Sequence, residues 1–346
     1  MKNIFKIILI NLLFFTIILL GLELSLGHWF EKDYFGYNMR GKRLQLINFS
    51  VNNENYQKSW TYRRDYYGFR EEFDFKNKYD LKKVKVVFNG GSTGAEMVLP
   101  YDETIVGNLN KFLMNSNSNI KIFNASLDGK SLVGKINDFD QWFNKLKNFN
   151  PEIMIFYMGI NDRNISKKRF NDNNQVLSKK QYVMGLISQR SFIWGFTKDI
   201  KDTYFSQNKD GYHLFYDRTK SNSSFTSYID AKKKYKNPNV SEQEILLNYK
   251  NNLERLKDIL DEKKIFPVFI TQIKHDGNGE RILFYLNEEL KEFALLNDYG
   301  LIPLDELISP SIGNFFIDDV HTNQKGSLYI SKKIFPQLKK IINENF

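Results

Sequence analysis

The sequence predicts a three-layer α/β/α domain, with a central parallel sheet between helices, preceded by one N-terminal transmembrane helix. Three observations lead there: short apolar runs of strand length recur from Val84 onward, segments with helical spacing separate them, and a long apolar stretch opens the chain. With 346 residues and 42% hydrophobic content there is enough material for a substantial core, which excludes disorder as a whole-chain state.

The opening stretch comes first. Between Lys6 and Glu23 lie sixteen consecutive uncharged residues, mostly Ile, Leu and Phe. At about 1.5 Å per residue this run falls slightly short of a bilayer core, but Leu24 and Leu26 extend it. Trp29 and Phe30 then fall where an aromatic belt would sit. The expectation is an uncleaved single-pass anchor through residues 7–28, in a bacterial-type cytoplasmic membrane with the remaining domain outside. Lys2 and Lys6 would also suit the basic region of a signal peptide, but no A-x-A-like site follows and the apolar run is long for one. Lys2 and Lys6 favour an inward N-terminus, against which Lys32, Arg40, Lys42 and Arg43 compete from the other flank. Residues 1–30 are therefore read as the anchor, 31–80 as a juxtamembrane tether plus an edge element, and 81–346 as the folded domain.

Strand-length runs then follow in order: VKVVFN (84–89), IKIFNAS (120–126), PEIMIFYMG (151–159), IFPVFITQI (265–273) and LIPLDEL (301–307). Leu132, Ile136, Phe139, Phe143 and Leu146 have the spacing of one helix, and Ile245, Tyr249, Leu253, Leu256 and Leu260 that of another. Ser241 with Glu244 predicts a capping box at the start of the second. Strands alternating with amphipathic helices make a parallel sheet covered on both faces, and ligands bind such sheets beyond the strands' carboxyl ends. Residues 163–240 break the alternation. They read as an insertion with some helix around Ser188 to Phe205, either a lid or substrate-binding arm or a surface elaboration.

Composition removes several chemistries. The chain has no cysteine, which excludes disulfides, thiolate metal sites and thiol nucleophiles. The formal charge is +10, of which +9 lies beyond residue 30. That balance permits attraction to phospholipid, acidic glycan or nucleic acid, but Lys is spread evenly and no nucleic-acid motif is present, so no nucleic-acid partner is expected.

The strand ends carry the candidate chemistry. FNGGSTGAEM places Ser92 on a tight Gly-Gly turn just after a strand, NASLDGKS puts Gly129 in the next loop, and YMGINDR puts Asn161 at the tip of the third run. FFIDDVHTNQKG brings Asp318 and His321 together before the last amphipathic helix. A nucleophile, a base and a carboxylate to hold the base's tautomer are the parts of a triad. His28, His213 and His275 are the other histidines, and Asp319 is an adjacent alternative carboxylate.

These four blocks, in this order, resemble the SGNH or GDSL-type hydrolases, over roughly residues 84–162 and 265–344. The segment DYYGFREE (65–72) is similar to the D-x-x-G-x-R entry of a membrane-anchored subset with a Gly-Gly-Ser-Thr turn. Gly91 stands where the family name has Asp, Thr93 where it has Leu, and 163–240 has no counterpart. The resemblance implies a flavodoxin-like fold, with Ser92 as nucleophile, His321 as base and Asp318 as its orienting carboxylate. An oxyanion hole would come from the amides of Ser92 and Gly129 and the side chain of Asn161, while Asp162 fixes the loop. It implies no metal and no other cofactor. The expected activity is hydrolysis of acyl esters through an acyl-enzyme, most of all O-acetyl groups on cell-envelope carbohydrate. Phe192, Trp194, Tyr204, Tyr212 and Tyr216 of the insertion could stack on sugar rings. A lipid or thioester acyl hydrolase, an O-acyltransferase, or an anchored glycan-binding or assembly protein without turnover are the alternatives.

Overall fold

The structure is a computed structural model and describes residues 2–30, 46–53, 56–70, 78–164, 179–200, 212–213 and 223–345. Helix α1 (Lys2–Leu26) is followed by a hairpin of β1 (Leu46–Asn53) and β2 (Tyr56–Arg63). The domain then runs β3 (Val86–Gly90), α2 (Ser92–Ala95), α3 (Ile105–Asn115), β4 (Ile122–Asn124), α4 (Leu132–Gln141) and β5 (Ile153–Tyr157). The insertion holds α5 (Lys179–Arg190), α6 (Phe192–Ile200), the short strand β6 (Tyr212–His213) and α7 (Tyr228–Lys234). The chain closes with α8 (Val240–Lys263), β7 (Phe266–Ile270), α9 (Arg281–Leu296), β8 (Gly300–Ile302), α10 (Leu304–Leu307) and α11 (Gln324–Asn345).

Each of the five apolar runs yields one strand of a single parallel sheet, ordered β4-β3-β5-β7-β8. Alternation along the strands divides the core. Val87, Met154, Phe156 and Phe269 pack under α4, α8 and α9, whereas Val86, Phe88, Ile153, Ile155 and Val268 pack under α3 and α11. Helices on both faces explain why these strands are mostly apolar. The three-layer architecture is as the sequence predicts. Because β3 lies between β4 and β5, the chain leaves β3 for β4 on one side and then crosses past β3 to β5 on the other, so the direction of winding switches at the carboxyl ends of β3 and β5.

Local details differ from expectation for identifiable reasons. The last apolar run is only partly strand: Pro303 follows β8 and the LDEL segment turns into α10. The α8 capping box is formed by Asn239 and Glu242, not by Ser241 and Glu244. Asn239 Oδ1 accepts the Glu242 N–H at 2.9 Å and the Glu242 carboxylate accepts the Asn239 N–H at 2.7 Å. The Ser241 hydroxyl instead donates to Asn239 Oδ1. Helix in the insertion starts earlier than Ser188 and is broken at Ser191 into α5 and α6.

The described part of residues 31–80 is more than a tether. Tyr62, Tyr66, Tyr67 and Phe69 are buried, and Trp142 Nε1 donates to the Tyr67 carbonyl at 2.7 Å. Asp65 Oδ1 accepts the N–H groups of Tyr67 and Phe69, folding the D-x-x-G-x-R segment into a compact turn with Gly68 in a left-handed conformation. That turn aims Arg70 at the domain.

Candidate active site

β3 delivers the Gly90–Gly91–Ser92 turn to the sheet's carboxyl edge. Gly91 is closely covered: a Cβ there would lie 2.6 Å from Asn161 Nδ2, so the side chain of the loop after β5 rests directly on the Ser92 turn. Gly90 is equally confined, with Ser126 Oγ and the Gly94 backbone within about 3 Å of its would-be Cβ. The same Ser126 Oγ accepts the Gly90 N–H at 2.9 Å.

From the other end of the chain, the turn before α11 brings up His321. His321 Nε2 lies 2.9 Å from Ser92 Oγ, across 229 positions of sequence. His321 Nδ1 lies 2.8 Å from Asp318 Oδ2. Asp318 Oδ1 also accepts the Val320 N–H at 2.9 Å and the His321 N–H at 2.7 Å. Burial alone would raise the Asp318 pKa. The hydrogen bond and charge of His321 and the two backbone N–H groups outweigh it and hold the carboxyl well below the usual carboxylate range. An ionised Asp318 keeps the proton on Nδ1 and leaves the Nε2 lone pair facing the serine.

Asn161 Nδ2 donates to the Lys130 carbonyl at 3.0 Å, and Lys135 Nζ donates to the same carbonyl at 3.2 Å. Together they fix the loop that carries Gly129, whose φ of +70° suits a residue without Cβ. Beneath that loop Lys130 Nζ pairs with Asp138 Oδ1 at 2.5 Å, both side chains almost fully buried. Asp162 Oδ1 accepts the Leu132 N–H at the start of α4 at 2.8 Å, the loop-fixing place expected of it.

Gln272 and Glu96, which the sequence did not single out, and Arg70 of the D-x-x-G-x-R segment tie these blocks together. Gln272, at the end of β7, donates through Nε2 to Thr93 Oγ1 at 2.8 Å and accepts the Ile160 N–H at 2.6 Å. It thus joins the Ser92 turn to the Asn161 turn. Glu96 is fully buried just after α2. It accepts Thr322 Oγ1 at 3.0 Å, Ser327 Oγ and the Ile105 N–H, so it joins α2 to the chain beside His321. Burial pushes Glu96 up to about 7, against those hydrogen bonds and the charge of Arg70. Its left-handed φ of 42° is held by Arg70, whose guanidinium donates to the carbonyls of Ala95, Glu96 (2.8 Å) and Leu99 (2.6 Å). Arg70 thereby serves as the C-terminal clamp of α2, which explains why a D-x-x-G-x-R segment precedes this domain. A polar residue closing an apolar run, as Gln272 does, was the one available signal; Glu96 and Arg70 meet partners too distant in sequence to be read from it.

The remaining histidines are elsewhere. His275 lies near Asp319 and Ser223, with Nδ1 3.4 Å from Asp319 Oδ1 and Nε2 3.2 Å from Ser223 Oγ. The His28 backbone N–H donates to the Arg190 carbonyl at the end of α1, and His213 is in β6. Of the insertion aromatics, Phe192 stacks on Phe196 and Trp194 is exposed, while Tyr204 and Tyr216 lie outside the described residues, as do Lys32, Arg40, Lys42 and Arg43.

No family model and no curated protein matches this chain. Among solved structures it is similar to the psychrotrophic esterase EstA from Pseudoalteromonas sp., at 13% identity over 75% of this chain and 98% of that one, with a TM-score of 0.41. It is also similar to the acetyl xylan esterase AlAXEase, at 13% identity over 73% and 98%, with a TM-score of 0.40. A lipolytic protein of the G-D-S-L family from Veillonella parvula matches at 13% identity over 73% and 97%, with a TM-score of 0.41. These likenesses concern the course of the chain and not its chemistry.

Proposed function

We propose that this chain is a membrane-anchored serine esterase of the SGNH type that hydrolyses acyl esters, in the first place O-acetyl groups on cell-envelope carbohydrate. The observation that carries the reading is the 2.9 Å approach of His321 Nε2 to Ser92 Oγ, with Asp318 at 2.8 Å on the far side of the ring. Ser92 attacks the ester carbonyl while His321 takes its proton, and the charge that develops passes to the carbonyl oxygen. The amides of Ser92 and Gly129 and the side chain of Asn161 receive that oxyanion. Collapse of the intermediate expels the alcohol, which recovers the proton from His321 and leaves an acyl-enzyme on Ser92. Water, deprotonated by the same His321, then releases the carboxylic acid and restores the serine.

Retention of the anchor is supported by the contacts of its last turns. Trp29 Nε1 donates to Glu23 Oε1 at 2.7 Å and Arg190 donates to the Trp29 carbonyl at 2.9 Å, so residues about the end of α1 are part of the folded protein. The reading is tested on the full chain in detergent micelles with a fluorophosphonate probe, followed by p-nitrophenyl acetate against longer-chain esters. Labelling and acetate release that vanish in Ser92→Ala and His321→Ala support it. A well-folded protein that neither reacts with the probe nor turns over an ester is a binding or assembly protein instead. Faster acyl transfer to a sugar hydroxyl than to water would make it a transferase.

A further inference from the structure

Outside α1, the exposed large apolar side chains of the described residues are aliphatic, apart from Phe30 and one helix. Trp194 and Phe196 of α6 are 41% and 53% exposed, the only exposed Trp or Phe side chains among the described residues after Phe30, and Val183 of α5 is exposed too. An exposed aromatic pair on one short amphipathic helix is costly in water. Its position in the fold indicates what covers it.

α6 is fastened to the end of α1. The Ile193 N–H, in the first turn of α6, donates to Glu23 Oε2 at 2.9 Å, and the other oxygen of Glu23 takes the Trp29 indole. The Arg190 carbonyl accepts the His28 N–H at 2.8 Å, and Gly27 permits that approach, since a Cβ there would lie 2.9 Å from the Arg190 carbonyl oxygen. This is why an acid interrupts the apolar sequence of α1: Glu23 ties the first turn of α6 to the helix end. The apolar part of α1 runs Ile4–Leu26, 23 residues of which the most apolar window is 0% buried in protein. At about 1.5 Å per residue that length is used up by a hydrocarbon core of about 30 Å, which leaves Glu23–Trp29 at its edge. Whatever is bound to those residues sits at the same level.

We infer that α5 and α6 form a second membrane contact, lying in the headgroup region of the bilayer that α1 crosses, with Phe196, stacked on Phe192, directed toward the acyl chains and Trp194, two positions away and so on the other side of α6, held at headgroup level. The inference rests on the reading of α1 as a retained anchor. Lys179 and Lys180 at the start of α5 are exposed and suit an anionic lipid surface. Two contacts, a span and an interfacial helix joined at Glu23, restrict the rotation of the domain about its anchor and present one side of it to the membrane.

Because the natural chain has no cysteine, single-cysteine variants report depth without background. Spin labels at Phe14→Cys, Phe196→Cys and Val240→Cys in the full chain, reconstituted in phosphatidylcholine vesicles containing phosphatidylglycerol, are read by collision with oxygen and with a water-soluble nickel chelate. The label at 14 marks the bilayer, and the label at 240, on a residue 84% exposed at the start of α8, marks water. The expected result is that 196 resembles 14, with oxygen favoured over nickel. A label at 196 that resembles 240 while 14 remains in the acyl region overturns the interfacial contact and leaves the anchor intact. A water-exposed label at 14 removes the anchor reading and this one with it. In the otherwise natural protein, brominated lipid is expected to quench a fluorescence component that Trp194→Phe eliminates; quenching identical in the two proteins counts against the inference.

Discussion

The molecule holds two sets of serine, histidine and aspartate that meet on one turn, where Asp318 faces one histidine and Asp319 the other. In the first set Ser92, His321 and Asp318 are joined by contacts of 2.9 and 2.8 Å. In the second, Ser223, His275 and Asp319 are joined by longer ones of 3.2 and 3.4 Å. The difference lies in what orients each carboxylate. Asp318 Oδ1 accepts two backbone N–H groups besides facing the imidazole, so its direction is fixed by the chain. The Asp319 side chain is 41% exposed, and its backbone carbonyl, accepting the His275 N–H at 3.1 Å, makes the shorter contact. Ser223 belongs to a segment laid along residues 276–278, with Thr226 bonded to Asp276 and Asn278. Among the described residues no sheet edge or glycine turn presents it. Residue types recur by chance; a turn that aims them does not.

The largest effect expected is the loss of ester turnover in Ser92→Ala or His321→Ala, by at least about 10⁴-fold in kcat. Ser223→Ala and His275→Ala are expected to stay within about tenfold of the parent. Peptide mapping after fluorophosphonate treatment is expected to locate the adduct on Ser92, and an adduct on Ser223 would invert the comparison. The two aspartates sharpen it further. Asp318→Asn leaves the shape intact but permits the wrong tautomer, with a fall of about 10⁴-fold, whereas Asp319→Asn is nearly silent. Equal losses in the two would mean that the backbone donors on Asp318 confer nothing. One step smaller is Asn161→Ala, expected to lower kcat about 100- to 1000-fold with little change in KM, since the lost donor acts on the transition state. A change confined to KM would instead place Asn161 in ground-state binding.

The parts of this site that sequence revealed are those with a local signature. Each of the five strands is largely apolar, and Ser92 and Asn161 come soon after two of them, so the sheet and the edge that carries these residues can be read together. Asp318 and His321 are three apart, so their pairing is also local. What holds the edge in register is not. Glu96 meets Ser327 across 231 positions and Gln272 meets Thr93 across 179, and neither sits in a periodic pattern that would mark it. The hairpin β1–β2 and the clamp of Arg70 on α2 were hidden for the same reason, since the partners of a buried guanidinium are carbonyls that every residue possesses. The capping box moved by two residues because Asn239 and Ser241 both have cap chemistry, and only the backbone decides between them.

Glu96 gives the smallest predicted effect and the one that tests the brace itself, since it joins the two halves of the first set and nothing comparable among the described residues joins the second. Its folded pKa is near 7 against an ordinary 4.5. Between those values the folded chain keeps a proton that the unfolded chain has released, so stability falls as pH rises through this window and levels off above it. A shift of that size corresponds to about 3 kcal/mol for a fully buried group. Urea unfolding of the full chain in detergent, from pH 4.5 to 7.5, is expected to show the natural protein losing up to about that much relative to Glu96→Gln, which cannot ionise. Parallel curves would show that the carboxylate is charged throughout and that its hydrogen bonds outweigh burial. The amide that Glu96→Gln introduces would also turn a donor toward Thr322, Ser327 or the Ile105 N–H. An accompanying fall of about tenfold in kcat with unchanged KM is therefore expected, as the His321 turn loosens against the nucleophile.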